Sequence, residues 1–212
     1  MSSHQSVQKQ YGEYISSGGD GNGVLYSRAQ RLGYSRTFLA ECRLDLEDSK
    51  TASLFAASCG SGSPLSLMEG NIKPGSTVLD LGCGACHDVA LASRLVGSTG
   101  RVIALDMTEE MLVAGMENVK EYASDKDTCG PVVFVRAIMD NQDSMEEKVD
   151  GNVADIIISN GAINLCMDKR TAFQEAYRTL QVGGTFLLSD LCRVDHSASA
   201  QVSCKIGDGW SN

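Results

Sequence analysis

The chain has 212 residues, a formal net charge of −9 and ordinary apolar and charged fractions of 42% and 21%, which suit one α/β domain with a full core. The acidic balance argues against nucleic-acid binding, which needs clustered Lys and Arg. No apolar run approaches the roughly 20 residues of a membrane span, and residues 1–5 are too polar for a signal peptide. Eight scattered cysteines favour free thiols in a reducing compartment, so the predicted location is cytoplasmic.

The N-terminal third shows no clear strand. Residues 1–25 are polar with a Gly/Ser-rich centre at 16–23, a composition typical of a flexible segment. Residues 26–72 combine helix formers with apolar positions such as Phe38 and Phe55. We therefore expect short helices there, lying like a lid over the open edge of a binding site.

Residues 73–212 alternate regularly between strand and helix patterns. We expect three helices: one that begins near Asp88, one that begins after Thr108 as its N-cap, and one from about Lys169 to Leu180. The predicted strands are Thr77–Leu81, Arg101–Leu105, Val132–Val135, Val153–Ile158 and, after Gly183 and Gly184, Thr185–Leu188. Near-continuously apolar strands between helices indicate a doubly wound, mostly parallel, Rossmann-like α/β sheet with helices on both faces.

Each predicted helix carries an apolar stripe at helical spacing, which marks the face it would bury. The stripes are Val89, Ala92, Leu95 and Val96; then Leu112, Met116, Val119 and Ala123; then Phe173, Ala176, Tyr177 and Leu180.

The segment 77–88 is a strand, a glycine turn and a helix start, and Asp106 ends the next strand, which together form the half-site for a nucleotide cofactor. Counted from Gly82, the third position is Gly84 but the sixth is His87. A bulky imidazole there disfavours the pyrophosphate of NAD, and no Gly-Lys-Ser/Thr follows to make a P-loop. The remaining common ligand is S-adenosylmethionine, which has no phosphate.

The predicted cofactor contacts follow the strand ends. Asp80 would hold the ammonium through water or the backbone, and Asp106 would accept hydrogen bonds from both ribose hydroxyls. Asp140 would accept one from the adenine amine. The turn residues and three further positions complete the predicted cofactor site: Gly82, Cys83, Gly84, Met107 against adenine, Met139 and Asn160.

Several blocks resemble known enzymes. The runs 78–84 and 105–112 look like S-adenosylmethionine-dependent methyltransferases, and the run 159–169, with 60–64 and 184–190, resembles the arsenite methyltransferases among them. The resemblance covers about residues 55–195. It implies S-adenosylmethionine as cofactor, a Rossmann-like sheet and methyl transfer to a small molecule.

Two family cysteines are missing from this chain. Arsenite methyltransferases hold soft trivalent arsenic with thiolates, and the resemblance places those cysteines where this chain has Ser61 and Gly161. Cys59 lies two residues before the first position and Cys166 five after the second. With Asn164 these form the predicted substrate site, and we expect weak or absent arsenite turnover.

The turn and the C-terminus also depart from the family. Cys86 stands where the last glycine of the turn is common in the family. With Cys83 it forms a Cys-x-x-Cys, and an alternative interpretation of this motif is a redox or metal site. No second pair with ligand spacing accompanies it in the sequence. Only 22 residues follow Asp190, with one strand-like run at 202–206. The sheet is therefore expected to be shortened after its fifth strand, whose exposed edge favours a homo-oligomer.

Two other functions stay open on the sequence. One is an S-adenosylmethionine-binding protein that has lost or altered its transfer activity, and the other is a nicotinamide oxidoreductase. No metal site or catalytic base is predicted, but positioning of an activated sulfonium can supply most of the rate.

Overall fold

The computed structural model describes residues 3–16, 29, 31–44, 54–55 and 58–192. Its centre is a sheet of five strands in the order β3-β2-β1-β4-β5, and every neighbouring pair is parallel. The strands are β1 (Thr77–Leu81), β2 (Arg101–Asp106), β3 (Val132–Arg136), β4 (Ala154–Asn160) and β5 (Leu180–Ser189). The predicted Rossmann-like parallel sheet is confirmed.

Helices cover both faces of this sheet. They are α1 (Ser3–Ser16), α2 (Arg36–Glu41), α3 (His87–Val96), α4 (Glu109–Tyr122), α5 (Gln142–Lys148) and α6 (Lys169–Thr179), with short 3-10 helices at Pro64–Met68 and Ile163–Leu165. The strand order reverses at β1, which pairs with β2 on one side and β4 on the other. In open α/β sheets such a reversal leaves a crevice at the carboxyl ends of the strands.

The core alternates across the central strand. Val78 packs in one cluster with Val89 of α3 and Leu112 of α4. Leu79 joins the opposite cluster with Met145 of α5. This period-two alternation is what a strand covered on both faces requires.

Helix α1 corrects the prediction that residues 1–25 are flexible. Val7 is buried, and Gln8 Nε2 donates to the carbonyl of Met107 over 2.9 Å. The prediction is therefore wrong for residues 3–16, because the adjacent Gly/Ser run lowered the average apolarity of a segment that docks one helical face. Residues 17–25 lie outside the described part of the chain.

The described parts of residues 26–72 are helical or irregular and pack into the main core. Ser35 caps α2 by accepting from the amide of Phe38 at 2.9 Å. Tyr34, Phe38 and Phe55 are almost fully buried in the cluster that contains Val78. The core therefore continues across the boundary we predicted at residue 73.

The last strand and two helix faces differ from the prediction. Strand β5 begins at Leu180 and includes both glycines, with a register irregularity opposite Ala154 and Ile156. Tyr177 is 84% exposed, and Phe173 and Met116 are about half exposed. The buried faces of these helices are formed by other residues, such as Ala172 of α6 and Met111 of α4. Among the described residues no strand pairs with the outer edge of β5, and the run 202–206 lies outside them.

Candidate cofactor site

A cleft opens where the carboxyl ends of the strands meet. Its empty volume is about 850 Å³, including the part open to solvent. The nine residues predicted to hold a cofactor all line it: Asp80, Gly82, Cys83, Gly84, Asp106, Met107, Met139, Asp140 and Asn160.

Asp106 fixes the glycine turn between β1 and α3. Its Oδ2 accepts from the amide of Gly84 at 2.9 Å and its Oδ1 from the amide of Thr108 at 2.8 Å. Burial raises the pKa of Asp106, although these bonds oppose the shift. The side chain of Thr108 makes no capping bond to α4, so the predicted N-cap acts through its backbone only.

Gly82 needs to be glycine for two reasons. Its φ is +84°, in the left-handed region that favours glycine. A Cβ there would overlap the Cβ of Ala162 and approach Cε of Met139 to 3.1 Å. The turn therefore brings bare backbone to the cleft, as a closely approaching ligand requires.

Asp80 is a buried carboxylate without a hydrogen-bond donor among the described residues. It is 2% exposed and lines the cleft. Its pKa is raised by burial and then by the charges of Asp88 and Asp106. A buried carboxylate without donors is costly, so a cationic donor from a ligand would satisfy it.

Asp88 differs from Asp80 because its lone pairs are occupied. Tyr34 donates its hydroxyl to Oδ1, Asn160 Nδ2 donates to Oδ2 at 2.9 Å, and His87 Nε2 lies 3.2 Å from Oδ2. Burial alone would raise the pKa of Asp88, but the attraction of His87 and these hydrogen bonds lower it overall. The cleft thus contains a carboxylate that stays ionised although it is 1% exposed.

At the opposite end of the cleft, the carboxylate of Asp140 is hydrogen-bonded to α1 and to the segment 167–168. Its carboxylate accepts from His4 Nε2 at 2.9 Å and from the amides of Met167 and Asp168 at 2.7 and 3.1 Å. Helix α1 therefore covers the end of the cleft that lies beyond β3, and we call this helix the roof.

The predicted substrate residues separate into two groups. Cys59, Gly161 and Cys166 line the cleft, whereas Ser61 and Asn164 do not. Ser61 Oγ and the amide of Gly161 both donate to the carbonyl of Ser189, at 2.9 and 2.8 Å, and the amide of Asn164 donates to Asp190. Ser61 and Gly161 are thus neighbours in space.

The charge of the lining is one-sided. Four aspartates line the cleft, and the described lining residues include no lysine or arginine. Phosphate recognition relies on cationic side chains or helix N-termini. The N-terminus of α3 borders the cleft, but its first turn carries the carboxylate of Asp88. The cleft therefore suits a cationic ligand better than a dinucleotide.

The sequence of the chain matches a family model and several known proteins. A model of the methyltransferase domain family matches residues 72–207, more than half of the chain. The chain belongs to the methyltransferase domain family. An arsenite methyltransferase of Halobacterium salinarum is 35% identical over 171 residues, which are 78% of this chain and 37% of that protein.

Two further matches add a structure and a second activity. The crystal structure of an arsenic(III) S-adenosylmethionine methyltransferase from Chlamydomonas reinhardtii superposes with a TM-score of 0.50 at 35% identity, covering 55% of this chain and 39% of that one. The ubiquinone/menaquinone biosynthesis C-methyltransferase UbiE of Escherichia coli is 32% identical over 122 residues, 58% of this chain and 45% of that protein. The chain spans less than half the length of these relatives. The predicted methyltransferase family is confirmed.

Three cleft residues on α1 were not predicted from the sequence. His4, Val7 and Tyr11 line the cleft, and their spacing of three and four residues puts them on one helical face. That spacing was visible in the sequence. Asp88 was also missed as a site residue, since its partner Tyr34 is 54 positions away and only the fold brings the two together.

The cysteines of the glycine turn do not have reactive surroundings. Burial raises the pKa of Cys83, and the pKa of Cys86 is raised as well, with its hydrogen bond to Cys83 opposing the effects of burial and nearby aspartates. The N-terminus of α3 therefore does not lower the pKa of either thiol below its ordinary value. Cys86 adopts a φ of +65°, so it occupies a backbone conformation that ordinarily favours glycine.

In the described parts of the chain no group of His, Cys, Asp and Glu is arranged to hold a metal ion. None of the described helices has the length and apolar character to cross a membrane. The seven described cysteines are all free thiols.

Proposed function

We propose that this chain is an S-adenosylmethionine-dependent methyltransferase that acts on a small molecule. The observation that carries the proposal is the carboxylate of Asp80, which has no hydrogen-bond donor within the described part of the chain, beside the bare backbone of Gly82. The ammonium of S-adenosylmethionine supplies the missing donors, and the tight turn admits its methionine portion. Family membership supports the same cofactor.

The rest of the cofactor extends along the strand ends in this proposal. Asp106 accepts from the ribose hydroxyls with the lone pairs that its two backbone donors leave open. Met107 and Met139 pack against adenine, and Asp140 accepts from the adenine amine through Oδ1, the oxygen that His4 approaches more closely. Gly84, Cys83 and Asn160 complete the wall around the methionine portion.

The methyl acceptor is expected to be soft and uncharged, in the manner of arsenite. The arsenite methyltransferase relatives support this class, and the thiols of Cys59 and Cys166 line the cleft. Burial, and then the charge of Asp140, raises the pKa of Cys166 to about 12, so it is a thiol and a weak metalloid ligand at neutral pH. We therefore expect slow arsenite methylation.

A second candidate is an S-adenosylmethionine-binding protein without transfer activity. Sulfur is missing at Ser61 and Gly161, and Gly161 has a φ of +70° that disfavours any side chain. The two candidates share the cofactor and differ only at the acceptor.

The transfer assay separates these candidates. Purified chain is incubated with S-adenosylmethionine labelled in its methyl group, with arsenite plus glutathione in one arm and a small thiol alone in the other. We expect labelled product above the protein-free control in at least one arm, with arsenite turnover slow. Saturable cofactor binding with no labelled product in either arm would favour the binding protein. Absence of cofactor binding would refute both candidates.

The proposal extends to the location and the partners of the protein. We propose a cytoplasmic protein that uses a small-molecule acceptor, binds neither nucleic acid nor membrane, and can form a homo-oligomer through the outer edge of β5.

A further inference from the structure

Two carboxylates at one end of the cleft have opposite surroundings. Asp80 has no hydrogen-bond donor among the described residues, whereas Asp88 accepts from Tyr34 and Asn160 and contacts His87. Both side chains line the same cleft and both are nearly fully buried. The difference suggests that they recognise different groups of the cofactor.

The cofactor carries two positive charges of different chemistry. Its ammonium has three N–H donors and requires acceptors with open lone pairs, as Asp80 offers. Its sulfonium has no N–H or O–H group, so a negative charge attracts it without a conventional hydrogen bond. Asp88 keeps its charge while protein donors occupy its lone pairs, which suits a cation that cannot donate.

The position of Asp88 supports this division. Asn160 at the end of β4 donates to it, which places the carboxylate on the β1–β4 side of the cleft. Asp140, after β3, lies at the other end with His4 of the roof. Asp88 therefore faces the end that holds the methionine portion when adenosine extends toward β2 and β3.

We propose that Asp88 is a specificity-determining residue that makes the cleft prefer the sulfonium cofactor over its neutral thioether product. The proposal rests on S-adenosylmethionine being the cofactor. A charge buried away from water acts over several ångströms with a weight that surface charges lack.

The charge change follows from the transfer itself. A lone pair of the acceptor forms a bond to the methyl carbon, the S–CH₃ bond breaks, and its electron pair stays on sulfur. The product, S-adenosylhomocysteine, keeps the ammonium but has lost the sulfonium charge. The attraction of Asp88 then disappears while that of Asp80 remains, and this favours exchange of spent cofactor for fresh cofactor.

Calorimetric titration with three ligands tests the proposal. They are S-adenosylmethionine, S-adenosylhomocysteine and sinefungin, whose amine-bearing carbon replaces the methylsulfonium and is also cationic. The wild-type chain should bind both cations about tenfold tighter than S-adenosylhomocysteine. D88N should lose about tenfold for each cation and keep the affinity for S-adenosylhomocysteine within about twofold.

Asp143→Asn is the matched control, because it removes a carboxylate from the exposed face of α5, outside the cleft. Its preference for cationic ligands should equal that of the wild type. Equal losses for all three ligands in D88N, or wild-type binding of S-adenosylhomocysteine as tight as that of S-adenosylmethionine, would overturn the proposal. If D88N does not fold, the wild-type comparison decides the question, because a tenfold preference for both cations supports the proposal and equal affinity overturns it. Failure to bind any of the three would instead refute the proposed function.

Discussion

The end of the cleft proposed for the cofactor and the neighbouring region predicted for the acceptor differ in how closely they follow the family pattern. At the cofactor end, Asp106 and Gly82 are positioned by strand ends and by hydrogen bonds to the backbone. At the acceptor end, Ser61 and Gly161 meet at one carbonyl but bring no sulfur. If the proposed function holds, a chain can retain the geometry for a cofactor while the residues at the predicted acceptor positions differ from the family pattern.

The largest effect is expected from Gly82→Ala at the cofactor end. The new Cβ adopts a left-handed φ and overlaps Ala162, so we expect a loss of about 3 kcal/mol in the free energy of unfolding. Gly70→Ala is the matched control, because its φ of +71° is similar and nothing lies within 4 Å of the added Cβ. It should lose only about 1 kcal/mol. Equal losses in urea titrations would show that the overlap does not matter.

Asp106→Asn tests whether the cofactor end depends on one carboxylate. The asparagine amide keeps one acceptor oxygen, so its NH₂ group faces the backbone amide of either Gly84 or Thr108. It also loses the charge that the ribose hydroxyls contact in the proposed cofactor site. We expect the dissociation constant of S-adenosylmethionine to rise about 100-fold. Asp143→Asn on the exposed face of α5 is the control and should leave it unchanged. A D106N chain with wild-type affinity would exclude Asp106 from the cofactor site.

Introducing two cysteines at the acceptor end should strengthen arsenite binding. In S61C/G161C two thiols would stand side by side, and chelation should tighten arsenite binding at least about tenfold over S61C alone. The G161C substitution places a side chain on a backbone with a φ of +70°, at a cost of about 1 kcal/mol in unfolding free energy. Equilibrium dialysis with arsenic quantification measures the binding. Equal affinity for the double and single variants would show that the two positions do not cooperate.

The smallest effect is a pH dependence at Asp80. Its pKa is raised in the folded chain by burial and by Asp88 and Asp106, so folding favours the protonated form. The stability it contributes is present below its unfolded pKa and is lost as pH rises through the folded pKa. Asp80→Asn should therefore flatten the fall in unfolding free energy above pH ~4 while weakening cofactor binding. A fall as steep as in the wild type would assign the pH dependence to other groups.

The cofactor end was largely predictable because its signals are local. The turn at 82–84, the acid at the end of β2 and the apolar strands are consecutive in the sequence and predicted both the fold and the lining residues. The contact of Tyr34 with Asp88 and the roof formed by His4 were not predicted, since they join segments far apart in the chain. The start of β5 was misplaced because Gly183 and Gly184 ordinarily end a strand rather than lie within it.

We infer that the cleft is built for a cationic, phosphate-free cofactor. Calorimetric titration of the wild-type chain with S-adenosylmethionine and, separately, with NAD tests this inference. We expect saturable binding of S-adenosylmethionine at one site and no detectable heat from NAD. Binding of NAD without binding of S-adenosylmethionine would contradict it.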